Sequence, residues 1–238
     1  SNNQIAFGNS GAWSTRGVQY GIFDQTSTGA TVNLYYNSVN ILGTENLNNS
    51  SAAYIRNSGA GAASTLRNNV LINNRTGGTG AHIAIANNGA GYATGWSSNN
   101  NFLASNNTGT LGMWNGTSYN FNDWKTNSAG DANATTAQAI TSGNSSPATV
   151  NASELFTNQA NNLHVNLTPP AAPYPFAHIA GLGTPVSVTV DYDNTTRAVG
   201  AAPAGPTMGI QEIPLCSGSP SAGTTVASPQ NLCTTGLT

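Results

Sequence analysis

The groups with reactive chemistry in this 238-residue chain are few: eight carboxylates, three histidines and two cysteines. Cleaving a glycosidic bond needs two carboxyl groups roughly 5–9.5 Å apart. The acids are Asp24, Glu45, Asp123, Asp131, Glu154, Asp191, Asp193 and Glu212. Only Asp191 and Asp193 are close in sequence, and as i and i+2 on a strand they would share a face. A structural turn with Arg197 is the simpler reading of that pair. Asp24 and Glu45 meet only if they fall on neighbouring turns of a repeat, and the sequence puts nothing basic beside them to neutralise a uronate, as a lyase requires. His82 and His164 lie in strand-like segments, as packed or edge residues. Gly77-Gly78-Thr79-Gly80 is not followed by Lys, so it reads as a tight turn and not a phosphate loop. No Gly-x-Ser-x-Gly elbow is present. The reading therefore assigns no catalytic residue, metal ligand or cofactor, and expects a chain that is not an enzyme.

Aromatic rings are the remaining candidates for binding. Among Tyr35, Tyr36, Tyr92, Trp96, Trp114, Tyr119 and Trp124, the last-half group of Trp96, Trp114, Tyr119 and Trp124 is the candidate set for stacking on sugars. The competing reading packs them against the body of the fold. Cys216 and Cys233 either stay free or close a local disulfide. Their Pro/Gly/Ser-rich, low-charge context favours the disulfide, and with it an oxidising compartment.

Composition limits what can hold these groups in place. Only 6% of residues are charged, against about a quarter in an ordinary soluble domain. The apolar share is 38%, also low, and Asn, Ser, Thr, Gly and Ala make up the difference. A net charge of −2 and 18 aromatic residues argue against disorder. Six scattered Lys and Arg cannot form the basic stripe that nucleic acid requires. No window approaches the ~18 apolar residues of a membrane-spanning helix. The opening residues, SNNQIAF, read like the middle of a polar repeat, so the chain is expected to be a piece of a longer one.

Repetition is the strongest signal. Residues 32–41 (VNLYYNSVNI) are echoed at 64–73 (STLRNNVLIN) and more weakly at 97–103 (SSNNNFL). A second series recurs at 18–23, 53–57 and 82–88. Both series return about every 30 residues, within the range of stacked-repeat proteins. Each unit is strand-like, bounded by Asn and Gly, and none has helical periodicity. In stacked parallel strands, equivalent residues lie about 4.8 Å apart. Buried Asn residues at the bends then bond one to the next, and Asn37, Asn68 and Asn99 or Asn100 are the candidate ladder. The expected fold is all-β, a right-handed parallel β-helix, with residues 106–131 as a long aromatic excursion packed on it. The Pro-rich stretch 168–176 must be a connection.

The succession of blocks resembles the β-helix repeat regions of giant secreted surface proteins of the Bacteroidetes. It is carried by residues 32–44 and 67–82, then 109–117, Trp124 and 130–133, and finally Leu163-His164 and 188–197 as a closing segment. The similarity covers most of residues 18–213. Residues 216–233 are similar to the start of an immunoglobulin-like repeat. The resemblance implies two regions, a β-helix domain over 1–212 and an incomplete second β domain over 213–238. It also implies export through the family's dedicated (type 9) secretion route, a cell-surface or extracellular location, and a structural or adhesive role. The partners it suggests are a surface polysaccharide, neighbouring domains of the same protein, or further copies in self-assembly. A carbohydrate-binding module or a degenerate polysaccharide lyase or hydrolase is the alternative. Where the family has an acidic ending, this chain has 208–213 (MGIQEI), which removes the basis for a cation site there.

Overall fold

The structure is a computed structural model and describes residues 1–8, 17–106, 110–133, 135–136, 154–168 and 175–214. The chain is mostly β. Its first repeat holds β1 (Gln4–Phe7), β2 (Gln19–Asp24) and β3 (Thr31–Tyr35). The second holds β4 (Ser38–Ile41), the short β5 (Thr44–Glu45), β6 (Ser51–Arg56) and β7 (Ala63–Arg67). The third holds β8 (Val70–Asn73), β9 (Thr76–Gly77), β10 (His82–Asn87) and β11 (Trp96–Asn99). The fourth opens with β12 (Phe102–Ser105), followed by a hairpin, β13 (Gly112–Trp114) and β14 (Thr117–Tyr119). Then come helix α1 (Phe121–Ser128), β15 (Thr135–Thr136) and a second hairpin, β16 (Phe156–Asn158) and β17 (Asn162–Val165).

The strands of successive repeats pair in parallel with their counterparts, and only the hairpins β13–β14 and β16–β17 pair antiparallel among the described strands. Gln4 lies opposite Ser38, Ser38 opposite Val70 and Val70 opposite Phe102, in steps of 34, 32 and 32 residues. Three main sheets result, in the orders β1-β4-β8-β12-β15, β2-β6-β10-β13-β14 and β3-β7-β11. The stacking aligns Ile5, Val39, Leu71 and Leu103 in one apolar column, with Leu34 and Leu66 in another. These rows, with Ile41, Tyr54 and Ile85, form the inner core.

Between the third sheet and the first, the backbone turns through a left-handed residue in every repeat: Asn2, Tyr36, Asn68 and Asn100, at φ of 52–60°. The next residue is always Asn, and these are the rungs. Asn3 donates its amide Nδ2 to Asn37 Oδ1 at 2.8 Å, Asn37 to Asn69 at 2.8 Å and Asn69 to Asn101 at 2.9 Å. The backbone N–H of each follows the same path. Asn101 then donates to Asp131 Oδ1 at 2.9 Å. This corrects the expected ladder by one residue. Asn37 is a rung, but Asn68 is the left-handed turn residue before the rung, with its amide bonded to both backbone groups of Thr184. Asn99 accepts from the backbone of Asn100 and Asn133. Left-handed backbone at the first residue of each pair, Asn or Tyr36, turns the Asn side chain that follows toward its stacked equivalents.

The first sheet is buried on both faces, as β4, β8 and β12 show at every position. Residues 154–168 and 175–213 cover its outer side. Val70, Ile72, Phe102 and Ala104 pack there against Leu155, Phe156, Leu163, Phe176, Ile179, Met208 and Ile210 in a second core. Helix α1 was not foreseen in the aromatic excursion. Asn120 caps it by accepting from Asp123 N at 3.0 Å. Phe121 and Trp124 then fall on one side, three residues apart, and are both buried in the inner core. Cys216, Cys233 and all but two residues of the 213–238 region lie outside the described residues.

Candidate functional site

Of the four aromatic candidates, three converge. The Trp96, Trp114 and Trp124 rings meet edge to face, with centroids 5.9–6.2 Å apart. Tyr54 and Tyr92 extend the cluster onto Trp96 and Trp114. Trp124 has 0% exposure and donates its indole N–H to Asp131 Oδ2 at 2.9 Å. A ring without exposed surface cannot stack on a sugar, so Trp124 is a core residue and not a platform. Trp96, Trp114 and Tyr119 are half-buried against the same core. Gly112 makes room for this arrangement, since a Cβ there would sit 2.6 Å from the Trp124 ring.

The charged residues have gone inward. Of the thirteen charged residues among those described, eight are buried: Asp24, Glu45, Arg56, Arg75, Asp131, Asp191, Arg197 and Glu212. Asp24 accepts from Ser64 Oγ at 2.6 Å, Tyr54 Oη at 2.8 Å, Ser58 Oγ at 3.0 Å and both the hydroxyl and N–H of Thr26. Burial alone raises its pKa, but the bonds from Ser64, Thr26 and Tyr54 outweigh it and hold the carboxyl below its usual range. Burial and the Asp24 carboxylate push the Tyr54 phenol well above its own. Arg56, fully buried, donates to the carbonyls of Ala62, Gly91 and Thr94. Arg75 pairs with Glu45 at 2.6 Å, both side chains without exposure. A basic group therefore does stand beside Glu45, contrary to the sequence reading, but inside the fold. Asp24 and Glu45 hold separate sets of partners and do not act together.

Asp131, missed as a functional residue, ends the ladder. It accepts from Asn101, Trp124 and Ser98 at 2.8–2.9 Å, and burial raises its carboxyl above the usual range despite those bonds. The visible signal was its place in the repeat. Asp131 N bonds to Ser98 O, one step beyond the third repeat.

Asp191 and Asp193 do not share a strand face. They stand in a turn closed by the Val190–Thr196 bridge. Asp191 is buried and accepts from the backbone of Asp193, Thr195 and Glu212 at 2.7–2.9 Å. Asp193 is exposed and contacts His164 Nε2 at 2.9 Å, with Tyr192 edge-on to that ring. Two carboxylates so differently placed do not form a hydrolytic pair. Arg197 is buried under the Tyr36 ring, 3.7 Å from its centroid, and donates to Thr207 O, Gly209 O, Ile210 O, Asn2 Oδ1 and Glu212.

His82 is buried as well. Its Nδ1 lies 2.9 Å from Ser51 Oγ and its Nε2 2.9 Å from Gly77 O. The carbonyl requires a proton on Nε2, so the neutral ring accepts from the serine at Nδ1. Burial first, then the nearby Arg75 charge, hold its pKa below the ordinary histidine value. With Ser51 at 1% exposure the pair is closed to any substrate.

Concavities open on the surface among the described residues. One of about 280 Å³ lies at the β2–β3 edge among Ile22, Phe23, Asp24, Gln25, Thr26, Val32 and Leu34. One of about 480 Å³ is lined by Asn100, Asn133, Leu182, Gly183, Thr184, Ala201 and Ala202. Among the described residues no group of three or more His, Asp or Glu could hold a metal ion, and no helix is long and apolar enough to cross a membrane. No known protein family, curated protein or solved structure matches the chain.

Proposed function

We propose that this chain is a non-catalytic structural or adhesive module of a large extracellular or cell-surface protein, built as a right-handed parallel β-helix. Three parallel sheets visited in the same order, repeat after repeat, support the architecture. Right-handed connection is the strong rule for parallel strands of one sheet. The observation that carries the role is the inward placement of charge: eight of the thirteen described charged side chains are buried, each of them bonded to backbone or neighbouring side chains. Groups held this way brace a rigid body and are unavailable to a substrate. They also leave a surface dominated by neutral polar residues, which loses little to salt screening.

A carbohydrate-binding role is the second reading, favoured by a different pair of rings from those the sequence suggested. Tyr20 and Phe23 are 37% and 47% exposed on the outer face of β2, nearly parallel with centroids 5.5 Å apart.

The test is incubation of the purified chain with neutral and acidic polysaccharides. New reducing ends or unsaturated products are measured alongside retention on the immobilised glycans. The structural reading expects no turnover. Retention that Tyr20→Ala and Phe23→Ala abolish would make the chain an adhesive module. Product formation that survives repurification would overturn the non-catalytic reading.

A further inference from the structure

The two ends of the repeat stack are chemically different. At the far end, α1 lays Trp124 across the inner core, and Asp131 takes the place of the next Asn rung. At the near end, β2 and β3 are the outermost strands of the second and third sheets. Ile22, Val32 and Leu34 line the open hollow between them.

The polarity of the hydrogen bonds says what this end accepts. In later repeats, particular amides reach back to the repeat before: Ala63 N to Ala30 O at 2.9 Å and Asn57 N to Asp24 O at 2.7 Å. Their counterparts in the first repeat, Thr31 and Gln25, face a side on which no described strand pairs. In the ladder each Oδ1 accepts from the preceding Asn. Among the described residues nothing donates to Asn3 Oδ1. Asn2 N already bonds to Tyr35 O, as Tyr36 N does to Arg67 O, so Ser1 lies in register above Tyr35.

We propose that the β1–β2–β3 end is a one-ended docking face for a further parallel repeat of this chain's own pattern. Its amide-bearing side chain would donate to Asn3 Oδ1, and its apolar residues would close over Ile22 and Leu34. The contact continues the interfaces that already join β2 to β6 and β3 to β7. A second copy of the chain does not fit. Stacked head to tail it offers Asp131, which has no amide side chain, and head to head it sets acceptor against acceptor. Unpaired strand edges of this kind are what β-augmentation uses.

The experiment joins a copy of residues 35–66 directly ahead of Ser1 in the full chain. This sets the copied Asn37 over Asn3 and the copied strands over β2 and β3. Amide exchange is followed by mass spectrometry, with sedimentation to fix the oligomeric state. The expected result is a monomer in which peptides covering β2 and β3 exchange at least tenfold more slowly than in the unextended chain. Asn37→Leu within the copied block is expected to lose most of that protection. Unchanged exchange with a protease-labile added block would overturn the proposal. So would an unextended chain whose β2 and β3 amides are already protected, whether as a monomer or as a dimer. Full protection with the Leu variant would overturn the ladder argument. None of these readouts depends on the glycan assay.

Discussion

Replacing Asn69 by Ala removes the middle rung of the ladder. Its side chain takes part in four hydrogen bonds: Nδ2 to Asn101 Oδ1 and to Leu34 O at 2.9 Å each, and Oδ1 from Asn37 N at 3.0 Å and Asn37 Nδ2 at 2.8 Å. Asn69 is 1% exposed and Asn37 not at all, so water cannot take over the lost contacts. A typical intramolecular hydrogen bond contributes about 1 kcal/mol net, and a buried group left unpaired costs more. The expected loss is about 4 kcal/mol, a large part of a normal domain's stability. Asn3→Ala is the internal control. It deletes one side-chain bond to Asn37 at a partly exposed site, and is expected to cost about 1 kcal/mol. Both are measured by urea unfolding followed by circular dichroism, and an unchanged m-value places the loss in the folded state. An Asn69→Ala loss no larger than that of Asn3→Ala would refute the ladder as a principal support of the fold.

Other outcomes follow from the same structure. Trp124→Phe removes the indole bond to Asp131 and opens space among the three tryptophans. It is expected to cost about 2 kcal/mol in thermal or denaturant unfolding and to weaken the near-ultraviolet dichroism of the cluster. Arg197→Lys cannot reproduce the fork that holds Thr207, Gly209, Ile210 and Asn2. A loss of about 3 kcal/mol is expected, with faster proteolysis within residues 175–214. His82 is held below its ordinary pKa by burial, so the unfolded chain takes up a proton first as pH falls. Its contribution to stability is full above about pH 6.5 and is lost as pH drops through the folded value. The melting temperature should therefore fall between pH 8 and 5, and His82→Gln should flatten that slope.

The repeat and its register were legible in the sequence. Written one above another, residues 32–41 and 64–73 put Leu34 over Leu66 and Val39 over Leu71, which is the pairing found. That alignment also set Asn69 opposite Asn37. The rung was misplaced onto Asn68 because two neighbouring asparagines look alike as residue types. Only the left-handed backbone at the first of them decides which side chain points inward. Helix α1 escaped because eight residues carry too short a periodic pattern, although Asn120 and Asp123 stood at capping distance.

What the sequence determined by itself was therefore local and periodic: strand-forming segments, a step near 32 residues, and a scarcity of charge. A repeated pattern states its own register, since identical positions must stack for each apolar column to close. What the tertiary structure alone decided was the destination of the exceptional residues. Residues 154–168 and 175–213 fold back over the outer face of the first sheet, and this buries Arg197, Asp191 and Glu212, which sequence distance had left apart. The three tryptophans, read as rings for a ligand, became one another's partners because Gly112 leaves the space into which Trp124 turns. Such contacts join segments tens of residues apart, and their energy depends on a shape that exists only once the repeats have stacked.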